Sequence, residues 1–128
     1  MKDWTAKRER YLRESVPTRL GELAGNLARI QSFSNNDLNC DAVAHLIEES
    51  KFFIEWTAID AEIDIAGELV ELQVQLARWQ LNWSNIWADD AQRMKVAQQA
   101  KVWSDRILEM SGLLSEPVTS ASQSRNFM

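Results

Sequence analysis

A repeated apolar spacing in the second half of the chain constrains the fold most. Seven apolar residues follow one another at spacings of 4, 3, 4, 3, 4 and 3: Ile65, Leu69, Leu72, Leu76, Trp79, Trp83 and Ile86. This heptad spacing places the side chains along one face of an α-helix, whereas a strand would alternate faces at every residue. The pattern therefore predicts a helix that buries this face against other helices.

Three further apolar faces with helical spacing predict three more main helices. The first contains Val16, Leu20, Leu23, Leu27 and Ile30; the next contains Val43, Leu46, Ile47, Phe53, Ile54 and Trp56; the last contains Val96, Ala100, Trp103, Ile107, Met110 and Leu114. Four glycines and two prolines are too few for many hairpin turns. We therefore predict an all-α domain over residues 1–114. It is an antiparallel up-and-down four-helix bundle with a Pro-kinked N-terminal helix, followed by a disordered tail over residues 115–128.

Several residues indicate where these helices begin and end. The Ser-, Asn- and Asp-rich residues 32–41 predict a loop, with Asp41 as the cap of the next helix. Residues 57–60 resemble a capping box and predict a turn, although a single long helix over residues 41–87 remains an alternative. Asp89 predicts the start of the last helix and Gly112 its end.

Composition and charge exclude several classes of function. The net charge of −5 argues against a basic nucleic-acid surface, so no nucleic-acid partner is expected. The charged N-terminus lacks the apolar core of a signal peptide, and no run approaches the ~20 apolar residues of a membrane span. Cys40 is the single cysteine and cannot form an internal disulfide or a zinc site alone. We expect a cytoplasmic protein without a cofactor.

The single histidine, His45, lies in a helical segment. Ala44-His45-Leu46 resembles the phosphoacceptor helix of histidine phosphotransfer domains, which are also four-helix bundles. In that family a Lys and a Gly follow the His, whereas here the next residues are Ile47, Glu48, Glu49 and Ser50. Carboxylates one turn away would repel a phosphoryl group. An ordinary helical histidine is the favoured interpretation, and a phosphotransfer-like module is the third functional hypothesis.

Acidic residues cluster between residues 37 and 71. Glu48-Glu49 and Glu68-x-x-Glu71 resemble the Mg²⁺ ligands of MazG-like nucleoside triphosphate pyrophosphohydrolases, which are all-helical. Phe52 replaces the third Glu of the family motif, and Glu71 replaces its final Asp. A solvated acidic face is the favoured interpretation. If the enzyme alternative holds, the metal ligands would be Glu48, Glu49, Glu68 and Glu71.

The tryptophans and the basic N-terminal stretch suggest protein contacts. Trp79, Trp83 and Trp103 occupy predicted core positions, so Trp4, Trp56 and Trp87 are the candidates for exposed anchors that bind a partner. The basic residues between Lys2 and Arg19 are expected to lie along the acidic middle helices, within one chain or across a dimer.

Two segments resemble a known group of proteins. ELVELQVQLARWQLNWSNIWAD, from Glu68 to Asp89, and WSDRILEMSGLL, from Trp103 to Leu114, resemble small helical proteins of unassigned function from cyanobacteria. The likeness covers most of residues 17–114. It implies a cytoplasmic all-helical protein and no activity or site residues.

The sequence favours a non-enzymatic helical module that works by protein binding. No catalytic or metal-ligand motif is complete, and the chain has more apolar helical surface than one small bundle needs. The expected partner is an unidentified protein or a second copy of the chain in a homodimer. A MazG-like hydrolase is the enzyme alternative.

Overall fold

The computed structural model describes residues 3–113, which are all-helical and contain no strand. Six α-helices follow one another: α1 (Thr5–Leu12), α2 (Val16–Phe33), α3 (Cys40–Ala58), α4 (Ile63–Leu81), α5 (Trp83–Ala88) and α6 (Asp90–Ser111). A short 3-10 helix (Asp37–Asn39) lies between α2 and α3. The all-α prediction is confirmed, while the tail predicted over residues 115–128 lies outside the described residues.

Pro17 lies at the start of a new helix. Ser15 caps α2, because its hydroxyl oxygen accepts a hydrogen bond from the Thr18 amide at 3.3 Å. Proline is tolerated in the first turn, where its missing N–H would have no partner within the helix. The chain therefore forms the separate helices α1 and α2, and the single Pro-kinked helix is not confirmed.

The turn predicted at residues 57–60 separates α3 from α4, so the alternative of one long helix over residues 41–87 is wrong. The proposed capping role of Thr57 is also wrong. Its side chain is buried inside α3, where its hydroxyl shares a hydrogen bond with the Tyr11 hydroxyl at 3.0 Å. The residue at the N-cap position of α4 is Glu62, which makes no side-chain capping bond.

The predicted ends of α6 agree with the structure, whereas the predicted cap of α3 does not. The Asp89 carboxylate accepts hydrogen bonds from the amides of Ala91 and Gln92, so the predicted cap of α6 is confirmed. Gly112 follows α6 with φ of 79°, a left-handed conformation that glycine adopts without strain. Asp41 does not cap α3, because the helix already begins at Cys40.

The core lies where α2 packs against α3 and α6, and where α3 packs against α4. Its largest fully buried apolar side chains come from α2, α3, α4 and α6: Leu20, Leu23, Leu27, Ile30, Val43, Ile47, Leu69, Leu72, Leu76 and Ile107. Trp79 is buried as predicted, whereas Trp83 and Trp103 are only partly buried. The heptad face continues past Asn82, but the helix does not, so Trp83 begins the short helix α5.

A buried arginine joins the ends of α1 and α3. The Arg19 guanidinium donates to the carbonyl oxygens of Leu12, Glu14 and Trp56 at 3.2, 2.9 and 3.2 Å. It also forms an ion pair with Asp60 at 2.8 Å, in the turn before α4. The last carbonyls of a helix have no partner within it, and the planar guanidinium supplies several donors at once.

Tyr11 extends this junction into the core. Its hydroxyl donates to the Arg19 carbonyl at 2.9 Å, and its ring stacks on Phe53 with centroids 4.1 Å apart. Burial raises the pKa of Tyr11, so the hydroxyl stays protonated and remains a donor. Helix α1 is therefore part of the packed domain.

Arg19→Lys should destabilise the protein, because lysine cannot reach three carbonyls in the fixed guanidinium geometry. We expect a loss of roughly 1–3 kcal/mol in the free energy of unfolding for each buried acceptor left without a partner. Asp60→Asn is the matched control. The Asp60 side chain is 50% exposed, so losing the ion pair should cost less than about 1 kcal/mol. Equal losses in urea unfolding of the two variants would contradict the role of the carbonyl bonds.

Leu72→Ala should cost about 2–5 kcal/mol in the free energy of unfolding, because the side chain is fully buried and its removal leaves a cavity. Val102→Ala is the control, since Val102 is 62% exposed on α6 and should lose less than about 0.5 kcal/mol. Chemical unfolding measures both, and an unaffected Leu72→Ala variant would remove α4 from the core.

Candidate functional site

Two of the three tryptophans predicted as exposed anchors are buried. Trp56 is 9% exposed and lies among the aromatic rings of α1 and α3. Trp87 is 8% exposed, and its indole N–H donates to the Asp37 carbonyl at 2.8 Å. Trp4 is half-buried and packs on Phe52 at a centroid distance of 4.8 Å. The expected exposure of Trp56 and Trp87 is therefore wrong, while their contribution to partner binding stays a prediction.

The metal hypothesis required four carboxylates to converge: Glu48, Glu49, Glu68 and Glu71. Glu49 is paired with Lys7 of α1, and Glu68 is hydrogen-bonded to Arg106 of α6 at 3.1 Å. Within residues 3–113, no group of three or more His, Cys, Asp or Glu side chains is arranged to hold a metal ion. The convergence that the hypothesis required is not present in this part of the chain.

His45 lies on α3 beside other ring and charged groups. Its imidazole stacks on Trp4 with centroids 5.7 Å apart, and its Nε2 is 4.0 Å from the Glu49 carboxylate. The side chain is 43% exposed. The phosphotransfer hypothesis and the favoured interpretation of an ordinary helical histidine both stay predictions.

Glu49 is the centre of a polar cluster between α1, α2 and α3. Its carboxylate accepts hydrogen bonds from Lys7 and, at 2.9 Å, from the Asn26 side chain, whose oxygen in turn accepts from Arg29. Burial alone would raise the pKa of Glu49, but the bonds from Lys7 and Asn26 hold it below its usual value. This ion pair is a contact of the expected kind, between the basic N-terminal stretch and the acidic middle of the chain.

An open cleft of about 610 Å³ lies beside this cluster, lined mainly by α1 and α2. Its charged residues carry both signs: Lys7, Arg10, Glu14, Glu22, Arg29 and Glu49. The Glu49 carboxylate is already bonded to two side chains, so its role in the described structure is to join helices.

Helix α4 presents a second row of apolar and small residues to solvent. Six positions at spacings of 4, 3, 4, 3 and 4 form this outer row: Ile63, Gly67, Val70, Val74, Ala77 and Leu81. Its four large side chains are 86%, 57%, 45% and 84% exposed, in chain order. At about 100° per residue, the outer row lies roughly opposite the buried leucines of the same helix. Helix α4 is therefore apolar on two faces, and within residues 3–113 only one of them is covered.

Gly67 is the smallest member of the outer row, and no neighbour among residues 3–113 requires a glycine there. A Cβ atom added at this position would meet nothing within 4 Å. Glycine in a helix interior costs about 1 kcal/mol relative to alanine, so it weakens α4 without an internal reason. A small residue on an exposed face lets another backbone come close. Gly67 therefore leaves room for a close approach on this face.

Charge is distributed unevenly beside the outer row. Asp64, Glu71 and Arg78 lie along one flank, seven residues apart. The other flank carries the neutral side chains of Ala66, Gln73 and Gln80. Ile59, in the turn between α3 and α4, is also 86% exposed. The surface thus has an apolar centre and polar edges, which is the usual composition of a protein interface.

The outer row was not among the site residues predicted from the sequence. Its signal was a second heptad spacing within residues 63–81, offset from the first. Both rows have helical spacing, and the larger leucine and tryptophan side chains of the first row made that row the predicted core face.

Glu49→Gln should reduce the pH dependence of stability in acid. Because the folded pKa of Glu49 is lowered, its charge stabilises the fold at pH above the unfolded value of about 4.3, and this stability is lost as pH falls through the folded pKa. In urea unfolding we expect wild type to exceed Glu49→Gln by roughly 1.5–3 kcal/mol at neutral pH, with the difference shrinking below about pH 4.

Glu22→Gln is the control with the opposite sign. Burial, followed by the charge of Glu14, raises the pKa of Glu22, so its ionised form disfavours folding. This variant should be slightly more stable than wild type at neutral pH, and the gain should vanish in acid. Effects of the same sign in both variants would contradict the assignment.

Comparisons of the chain with protein-family models, curated proteins and solved structures found no match. The likeness to small cyanobacterial helical proteins therefore stays a prediction from the sequence. No helix within residues 3–113 is long and apolar enough to cross a membrane. The outer row of α4 is the feature of this part of the chain on which a functional proposal can be based.

Proposed function

We propose that the protein is a non-enzymatic interaction module whose contact surface is the outer row of α4. The occupant is a helix of another polypeptide that lies along this row. The observation that carries the proposal is a regular 19-residue helix with an exposed heptad row on the face away from its own core.

The spacing of the row indicates the shape of its occupant. Alternating steps of 3 and 4 residues present a straight ridge, which a second helix can follow at a small crossing angle. Covering a fully exposed Ile, Leu or Val side chain contributes about 1.5–3 kcal/mol, so Ile63 and Leu81, both more than 80% exposed, are the strongest contributors.

The rest of the domain serves as the scaffold in this proposal. We place the four long helices α2, α3, α4 and α6 in an antiparallel up-and-down bundle, since α2 packs on α3 and α6, α3 packs on α4, and their connections are short. The core-facing leucines of α4 are fully buried, so the outer row is held on a rigid helix. A rigid surface loses little conformational entropy on binding.

Site-specific photo-crosslinking tests this proposal. A benzophenone amino acid replaces Val74 of the outer row in the full chain, expressed in its own cells. The matched control carries the same group at Val102, another exposed valine on a helix. We expect several-fold more covalent adduct with polypeptides from position 74 than from position 102. Equal yields at the two positions would overturn the assignment of the contact surface.

A further inference from the structure

The outer row of α4 has the same pattern when read from either end. Its spacings of 4, 3, 4, 3 and 4 are unchanged on reversal. The residue sizes also match: the large Ile63 and Leu81 are at the ends, two valines are in the middle, and Gly67 and Ala77 lie between them. If the helix is reversed end for end about Leu72, each residue of the outer row therefore takes the place of another outer-row residue of similar size.

We infer that the helix that covers the outer row is α4 of a second copy, running antiparallel about a two-fold axis at the level of Leu72. This inference rests on the proposed function of the row and names its partner. A two-fold interface joins the same patch on both subunits, so the patch must be complementary to itself. An interface with an unrelated helix would not require a palindromic row.

The pairing gives three kinds of contact along the helix. Ile63 packs against Leu81 of the second copy, Gly67 against Ala77 and Val70 against Val74, and each layer is repeated by symmetry. Small residues face small residues in two layers, so the two backbones can approach closely there. This pairing supplies the reason for Gly67 that the single chain lacks.

The charges on the flank favour the antiparallel direction. A two-fold axis brings the same flank of both helices together. Arg78 of one copy and Asp64 of the second copy then differ in position by only about 3 Å, measured along the length of the helix. This opposite-charge pair occurs twice, while the two Glu71 side chains meet near the axis and repel. A parallel pair would set this flank against neutral Gln73 and Gln80 and would lose both attractions.

The length of α4 limits the strength of the dimer. A helix of 19 residues is about 28 Å long, and one helix pair of that length buries less than the ~1,200–2,000 Å² of a standard interface. We therefore expect a reversible dimer that dissociates at roughly micromolar concentrations.

Sedimentation velocity over a range of concentrations tests the dimer. The double variant Val70→Glu and Val74→Glu should remain monomeric where wild type is a dimer, because it places four charges at the centre of the interface. Both valines are exposed, so the variant should keep the helical circular dichroism of wild type. Val102→Glu, the control on α6, should dimerise as wild type does. Dimerisation of the double variant would overturn the inference.

Two variants in a Cys40→Ser background test the direction of the pair. The double variant Ile63→Cys and Leu81→Cys should oxidise to a covalent dimer, because these residues face each other across the antiparallel interface. Ile63→Cys alone should not, because its two copies would be about 27 Å apart, far beyond the ~7 Å limit between Cα atoms in a disulfide. A covalent dimer of Ile63→Cys alone would show a parallel pair and overturn the inference.

Glu71→Gln distinguishes the proposed two-fold dimer from non-specific association of the apolar surface. Removing the repulsion at the axis should tighten the dimer by a few-fold, and added salt should then weaken it more than it weakens wild type, because the two Arg78–Asp64 attractions are no longer partly cancelled. An unchanged dissociation constant would argue against the axis at this level.

The outcomes separate this inference from the proposed function. If wild type stays monomeric at high concentration while position 74 still crosslinks to another polypeptide, self-pairing is wrong and the interaction surface stands. If wild type is monomeric and position 74 gives no more adduct than position 102, both are wrong.

Discussion

The buried guanidinium of Arg19 is the interaction on which the arrangement of the first four helices depends. A cation in that environment must satisfy its donors, and it does so with the carbonyls that end α1 and α3 and with the carboxylate of Asp60. Helix α1 is thereby held over α3, where Tyr11 covers Trp56. Asp60, one of the acceptors, lies in the turn from which α4 starts. This group of hydrogen bonds thus joins α1, α2, α3 and the turn before α4 through one side chain.

Much of the fold follows from local chemistry that a sequence displays. Apolar spacing identified the helical segments, Asp89 and Gly112 marked the ends of α6, and residues 57–60 marked the turn before α4, because each depends on neighbours within a few positions. Predictions failed where distant groups decide. Trp87 is buried and its indole N–H donates to the Asp37 carbonyl, 50 residues away, and Thr57 pairs with Tyr11 instead of capping a helix. No local pattern contains that information.

The heptad spacing of the outer row is present in the sequence, but the sequence does not show that this row, and not the other, is exposed. Helix α4 has two heptad rows, and spacing alone does not say which one faces the core. Packing decides this: Leu69, Leu72 and Leu76 are fully buried, which leaves Val70 and Val74 in solvent. For the carboxylates of the enzyme alternative, the spacing suggested a site that packing does not form. Glu49 and Glu68 suggested ligands by their spacing, yet in the structure each is paired with a basic side chain from another helix.

Gly67 has a consequence for any attempt to engineer this chain. Judged by the monomer alone, alanine at this position would look like a free improvement: the space is open and helix propensity rises by about 1 kcal/mol. A design procedure that scores one chain would therefore replace it, and in the proposed dimer the added methyl group would fill the gap between the two backbones. Under that proposal, the stability of the isolated subunit and the formation of the dimer place opposite demands on this single position.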